Sequence, residues 1–236
     1  MLHAEATPIG HSRVVRITHW VTSVAFVALA VSGFVITITH PRLYWGDVGN
    51  FETPAWITLP IEPTYGHSGW GRSLHFLCAW AMVLTGLVYV AWSAAVHHFG
   101  RNLVPRRDEL NPSRLRLEIS KQLHWHVPRG AEYGLVQKVT YLVVLLLLTP
   151  LAILTGLTLS PAVTAAYPWL LSLFGGFQSA RTIHFLDSLV LVLFLGVHVI
   201  MIVRSGFARQ MRSMILGERS YERHPHFTTG AVSDGR

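Results

Sequence analysis

Four histidines lie inside long apolar stretches of the chain: His19, His75, His184 and His198. Histidine is scarce in segments of membrane length, and one placed there is a functional candidate by default. Its neutral ring nitrogen is a good ligand for iron and other transition metals. His184 and His198 are 14 residues apart in one stretch. On a helix that spacing turns about 1400°, some 40° short of four turns, and rises ~21 Å, so both rings face one way near opposite ends. Arginine precedes three of the histidines by three residues: Arg16 before His19, Arg72 before His75 and Arg181 before His184. Residues three apart share a helix face. Each guanidinium therefore sits one turn nearer the surface than its imidazole, where it suits a carboxylate partner.

These side chains need long helices to place them. Of 236 residues, 51% are hydrophobic and only 13% charged, against about 25% charged in an ordinary soluble domain. That deficit argues against a soluble enzyme. The apolar residues gather in four blocks, about Val14–Thr39, Ser73–Val96, Val139–Leu159 and Thr182–Val203. Each is long enough to cross ~30 Å of hydrocarbon at 1.5 Å per residue. The first follows Arg13 and Arg16 as a signal peptide would, but it exceeds the usual run of about 7–15 apolar residues and reads as an uncleaved span. The expected fold is an all-α membrane protein, a four-transmembrane-helix bundle.

Basic residues set the direction. Of 19 Lys and Arg, only Arg42, Arg72 and Arg181 fall in or beside the first and third connections, and the other 16 lie in the two tails and the middle connection. Cytoplasmic segments collect Lys and Arg, so both termini are expected inside, in a bacterial inner membrane. The formal charge of +7 is then topological rather than one patch for nucleic acid, and no nucleic-acid partner is expected. The outer connections carry Tyr44, Trp45, Trp56, Tyr65, Trp70, Tyr167 and Trp169, aromatics that suit a membrane interface. Residues 167–174 are expected to form a short interfacial helix. The organisation reads as an N-terminal tail (1–13), a bundle (14–208) and a C-terminal tail (209–236), polar and mobile from Gly217. The lone Cys78 excludes an internal disulfide, a Cys-rich zinc site and the attachment motif of a c-type haem.

With spans alternating in direction, His19 and His198 come to similar depth near the inner surface, and His75 and His184 near the outer one. Each pair bridges two helices. Facing imidazoles across a bundle are what a b-type haem needs as axial ligands, so two haems are expected, with propionates emerging near the arginines. Gly33, 14 residues after His19, returns to its face near the outer site, and Gly86, 11 after His75, lies near the inner one. Small residues there leave room for a macrocycle. Each feature has a plainer reading: a histidine hydrogen-bonded to a neighbouring helix, a snorkelling arginine, a glycine serving helix packing. Asp187, one turn beyond His184, is either a proton-bearing group beside a cofactor or half of a helix-to-helix hydrogen bond. A haem-free anchor or a metal transporter is the reading from another class. His40 and His67 read as interfacial. His97, His98, His124, His126, His224, His226, His3 and His11 receive no role.

The same residues resemble the bacterial and nickel-hydrogenase cytochrome b family. The matching stretches are Arg16-Ile17-Thr18-His19-Trp20 with Ser32-Gly33-Phe34, then Gly71-Arg72-Ser73-Leu74-His75-Phe76. They continue with Gln137-Lys138 and Tyr141, Thr155-Gly156-Leu157 with Ser160-Pro161, and Ala180-Arg181-Thr182-Ile183-His184-Phe185 with His198. The resemblance covers about residues 10–208. It implies a membrane electron carrier between quinone or quinol and a periplasmic oxidoreductase with iron–sulfur, molybdopterin or hydrogenase chemistry. Within redox chemistry, a free-standing superoxide:quinone oxidoreductase is the alternative. The resemblance also implies a quinone site near the inner haem, at the start of the third span. There the family often has Tyr-Asn-x-x-Gln-Lys, and Gly134 replaces the Asn in Tyr133-Gly134-Leu135-Val136-Gln137-Lys138. Gln137, Lys138 and Tyr141 are the polar candidates, with interfacial anchoring as their plainer role.

Overall fold

The computed structural model describes residues 12–50, 52–63, 69–96, 113, 116, 120 and 135–217. Four long helices match the four apolar blocks. They are α1 (Arg13–Thr39), α2 (Gly69–Ala95), α3 (Leu135–Thr158) and α6 (Phe177–Ile215), each long and apolar enough to cross a membrane. Within the expected 167–174 segment lies one short helix, α5 (Trp169–Leu173), and a second, α4 (Pro161–Ala166), precedes it. Two short strands, β1 (Arg42–Leu43) and β2 (Ile57–Thr58), pair antiparallel in the first connection. His3, His11, His67, Tyr65, Tyr133, Gly134, the histidines of the middle connection and the tail from residue 218 lie outside the described residues.

Local chemistry sets the helix ends. Ser12 caps α1, its hydroxyl accepting from the Val15 N–H at 3.3 Å, and Pro41 stops it because the residue before proline is driven out of the helical region. Pro161 opens α4 at the first-turn position where its missing N–H costs nothing. Within α3 the turn Val144–Leu148 is a π-helix, closed by Thr149 N–H to the Val144 carbonyl. Pro150 follows, and the widened turn accommodates a ring that would clash with a regular one.

The helices pack as two hairpins, α1 along α2 and α3 along α6, with α1 also meeting α6. Outward faces are apolar and exposed, as with Ile17, Val24 and Val31 on α1 and Leu193, Val197 and Ile200 on α6. The residues fully buried inside are mostly small and hydroxylated: Ser32, Ser93, Thr155, Thr158, Ser179 and Thr182. Small side chains let membrane helices approach. They do not fill the bundle with apolar bulk.

Each end of α6 is closed by a different part of the chain. At its start, the Gly46 carbonyl accepts from the N–H groups of Gln178 (2.9 Å) and Ser179 (3.2 Å). The Asp47 carboxylate accepts from Phe177 N–H at 3.3 Å, and Thr182 donates to the Tyr44 carbonyl at 2.7 Å. The first connection thus satisfies donors that a helix start leaves orphaned. Gly176 makes this possible. Its φ of 110° and ψ of 168° fall in a region essentially restricted to glycine, and a Cβ there would lie 2.5 Å from the Gly46 carbonyl and Asp47. Gly176→Ala is expected to destabilise the fold by about 1–3 kcal/mol from backbone strain, with the clash in addition. Thermal unfolding in detergent checks it.

At its other end α6 turns at Gly206 (φ 104°) and continues to Ile215, past the apolar block. The Arg16 Nε–H donates to the Met214 carbonyl at 3.2 Å, Arg16 Nη2 donates to the Ile215 carbonyl, and Trp20 Nε1–H donates to Met214 at 3.2 Å. These are the carbonyls a helix end leaves unpaired, and a cation is favourable there.

Candidate functional site: two facing histidine pairs

The bundle brings together the four intramembrane histidines in the pairs their depths imply. The rings of His19 on α1 and His198 on α6 have centres 6.5 Å apart, with planes at 50°. Those of His75 on α2 and His184 on α6 are 6.2 Å apart, at 73°. A metal–imidazole bond of about 2 Å, with about 1.2 Å from nitrogen to ring centre, places two rings on one metal ~6.4 Å apart. Both separations meet that requirement. Among the described residues no three or more His, Cys, Asp or Glu side chains gather as a metal site. Paired imidazoles instead suit a metal whose remaining ligands come from a planar macrocycle.

The surroundings fit such a group. Gly33 lies against His75, where a Cβ would be 3.5 Å from Cε1, and Gly156 lies against His184, where a Cβ would be 3.3 Å from Cε1. A Cβ on Gly86 would meet nothing within 4 Å. Ser93, 18 residues after His75, returns to the same face after about five turns. Its hydroxyl is fully buried and has no hydrogen-bond partner among the described residues. Asp187 is 5% exposed, and both its carboxylate oxygens are also unpartnered there. No helix-to-helix hydrogen bond to Asp187 occurs among the described residues. Buried polar atoms of this kind call for a partner beyond the described chain.

The arginines divide. Arg72 and Arg181 both act on His40 at the His75–His184 end. Burial, then Arg181 and Arg72, hold that imidazole below its ordinary pKa, which favours the neutral ring. Arg181 donates to the His40 carbonyl and, at 3.4 Å, to Gln178 Oε1. Arg16 also lies one turn from its histidine, but at least two of its donors serve the end of α6.

Gln137, Lys138 and Tyr141 share a face of α3, being three and four residues apart. The Tyr141 ring meets Phe194 edge-on at 6.4 Å, and Phe194 stacks on His198 at 5.9 Å and 24°. An aromatic path therefore joins this face to the His19–His198 pair. Phe194 and Ser93 carry only weak signals in the sequence. Phe194 precedes His198 by four and Ser93 repeats the His75 face, but both signals are common in apolar helices.

A family model described as prokaryotic cytochrome b561 matches residues 10–217. A provisionally assigned protein-methionine-sulfoxide reductase subunit YedZ1 of Azospira oryzae is 29% identical over 197 residues, 81% of this chain and 89% of its own length. A provisionally assigned Ni/Fe-hydrogenase B-type cytochrome subunit of Cupriavidus necator is 25% identical over 227 residues, 88% of this chain and 85% of its own. The family match runs through all four long helices and both histidine pairs, and the chain belongs to the prokaryotic cytochrome b561 family, membrane proteins that carry b-type haem.

Proposed function

We infer that the chain is a di-haem electron carrier of the bacterial inner membrane, linking the quinone pool to a periplasmic oxidoreductase partner. The observation that carries this reading is the presence of two imidazole pairs, 6.2 Å and 6.5 Å between ring centres, at opposite ends of one bundle. A b-type haem held by two axial imidazoles has no open coordination position and supplies one-electron transfer rather than oxygen activation. His19 and His198 hold the inner group, and His75 and His184 the outer one. The 14-residue spacing on α6 separates the two ligand levels by ~21 Å, a path across most of the bilayer. Arg72 and Arg181 supply positive charge at the outer end for propionates, Arg16 shares that role at the inner end, and Gly33 and Gly86 leave space beside the ligands.

Gln137, Lys138 and Tyr141 are assigned to the quinone, next to the inner pair. The outer connection presents Trp45, Trp56, Val48 and Trp169 in exposed positions, a surface suited to a docked partner. Both relatives named above are designated subunits, one of a reductase and one of a hydrogenase, which supports a partner carrying the substrate chemistry. By the same charge rule both termini are cytoplasmic. The test is the dithionite-reduced minus oxidised spectrum of the purified protein with haem-to-chain stoichiometry. Two b-type haems per chain are expected, and a well-folded, haem-supplied sample with one or none would overturn the di-haem assignment.

A further inference from the structure

Each outer histidine is gripped by a hydroxyl residue and a glycine on its neighbouring helix. Ser32 Oγ on α1 lies 3.0 Å from His75 Nδ1, and Thr155 Oγ1 on α3 lies 2.9 Å from His184 Nδ1. Both hydroxyls are fully buried. A hydroxyl has one proton to give. Ser32 gives its proton to the Ala28 carbonyl at 2.7 Å, and Thr155 gives its own to the Leu151 carbonyl, also at 2.7 Å. With that proton on the carbonyl, each hydroxyl has lone pairs facing Nδ1, the arrangement that pairs with a ring protonated at Nδ1 and ligating through Nε2.

A glycine follows each hydroxyl residue, Gly33 after Ser32 and Gly156 after Thr155, and packs against the ring's Cε1 edge. A half-turn of either ring would present carbon to the hydroxyl and lose the hydrogen bond. The arrangement occurs once per hairpin: a hydroxyl residue and glycine on the first helix, Arg-x-x-His on the second.

We propose that Ser32 and Thr155 are positioning residues that fix His75 and His184 as Nδ1–H tautomers and thereby set the reduction potential of the outer haem. This rests on the di-haem reading. A hydrogen bond from Nδ1–H to an acceptor fixes ring orientation and raises the ligand's basicity. A more basic ligand favours the oxidised iron. Removing the acceptors therefore makes the outer haem easier to reduce and leaves the inner haem as an internal reference.

The experiment is a redox titration of the holoprotein, with the low-spin EPR signal of each haem, for Ser32→Ala, Thr155→Val and the double variant. The double variant is expected to favour outer-haem reduction by about tenfold, ~59 mV for a one-electron couple. Its outer-haem EPR signal should change and the inner values should not. Thr155→Ser, which keeps the hydroxyl, should retain the wild-type potential. Full haem content with unchanged outer potential and EPR signal in the double variant overturns the proposal. If Thr155→Val loses the outer haem, Thr155→Ser decides: restored haem and potential uphold the proposal, and failure to restore them overturns it. His75→Ala and His184→Ala are measured alongside. If both keep two haems, the outer pair is not a haem site, and the assignment of the outer haem to His75 and His184 falls and takes the proposal with it.

Discussion

His75→Ala is expected to reduce haem content from two per chain to one, with the remaining haem keeping its potential and spectrum. His19→Ala should do the same and leave the other haem. The physical basis is the separate closure of each pair. On the proposed assignment, removing one imidazole takes away one of the two protein bonds to that haem and opens a void where the ring stood. Nothing among the described residues replaces it, since no further His, Cys, Asp or Glu gathers at either pair. His19 and His75 lie on α1 and α2, whereas His184 and His198 share α6. A fault in α6 folding would lower both haems together, so the α1 and α2 variants give the cleaner assignment. His184→Ala is then expected to match His75→Ala, and His198→Ala to match His19→Ala, in which signal disappears. Equal loss of both haems in a folded His75→Ala or His19→Ala protein would refute the pairing.

The facing of the two ring pairs is legible in the sequence because it needs only span direction and helical periodicity. Depth follows from counting along each apolar block, and facing follows from the 14-residue spacing on α6. The helix ends were less legible. Hydropathy places the starts of α2 and α6 at about Ser73 and Thr182, yet the helices begin at Gly69 and Phe177. The polar turns at those starts lie outside the apolar window, and at α6 they are capped by a connection more than 120 residues earlier, at Gly46 and Asp47. Charged residues Arg204, Arg209 and Arg212 end the apolar block at the far side of α6, but Gly206 lets the helix turn and continue.

The arginines show the limit of a face argument. Three-residue spacing puts Arg16 one turn from His19, but it carries no information that the end of α6 offers two carbonyls to the guanidinium. Ser32 and Thr155 belong to the Ser32-Gly33-Phe34 and Thr155-Gly156-Leu157 motifs. Their hold on the imidazoles is a contact between helices, and spacing along one helix does not reveal it.

The second large effect is expected in electron exchange with quinol. Lys138→Ala and Gln137→Ala should each slow haem reduction by a short-chain quinol about tenfold or more, while both haems and their spectra remain. A hydrogen bond involving a charged group is worth about 1.5–3 kcal/mol, and 1.4 kcal/mol corresponds to about tenfold. Lys138 offers an ammonium donor and Gln137 an amide on the face of α3 that includes Tyr141. From Tyr141 the rings of Phe194 and His198 follow at 6.4 Å and 5.9 Å, so a quinone held there stands beside the inner ligand pair. Asp187 offers the competing location. It is buried beyond His184 with both carboxylate oxygens unpartnered among the described residues, and a quinone exchanging protons at the outer end would use it. Stopped-flow reduction of the Lys138→Ala and Asp187→Asn proteins separates the two. Slowing in Lys138→Ala alone places the quinone at the inner end. Slowing in Asp187→Asn alone moves it to the outer haem and reduces Gln137, Lys138 and Tyr141 to interfacial anchors.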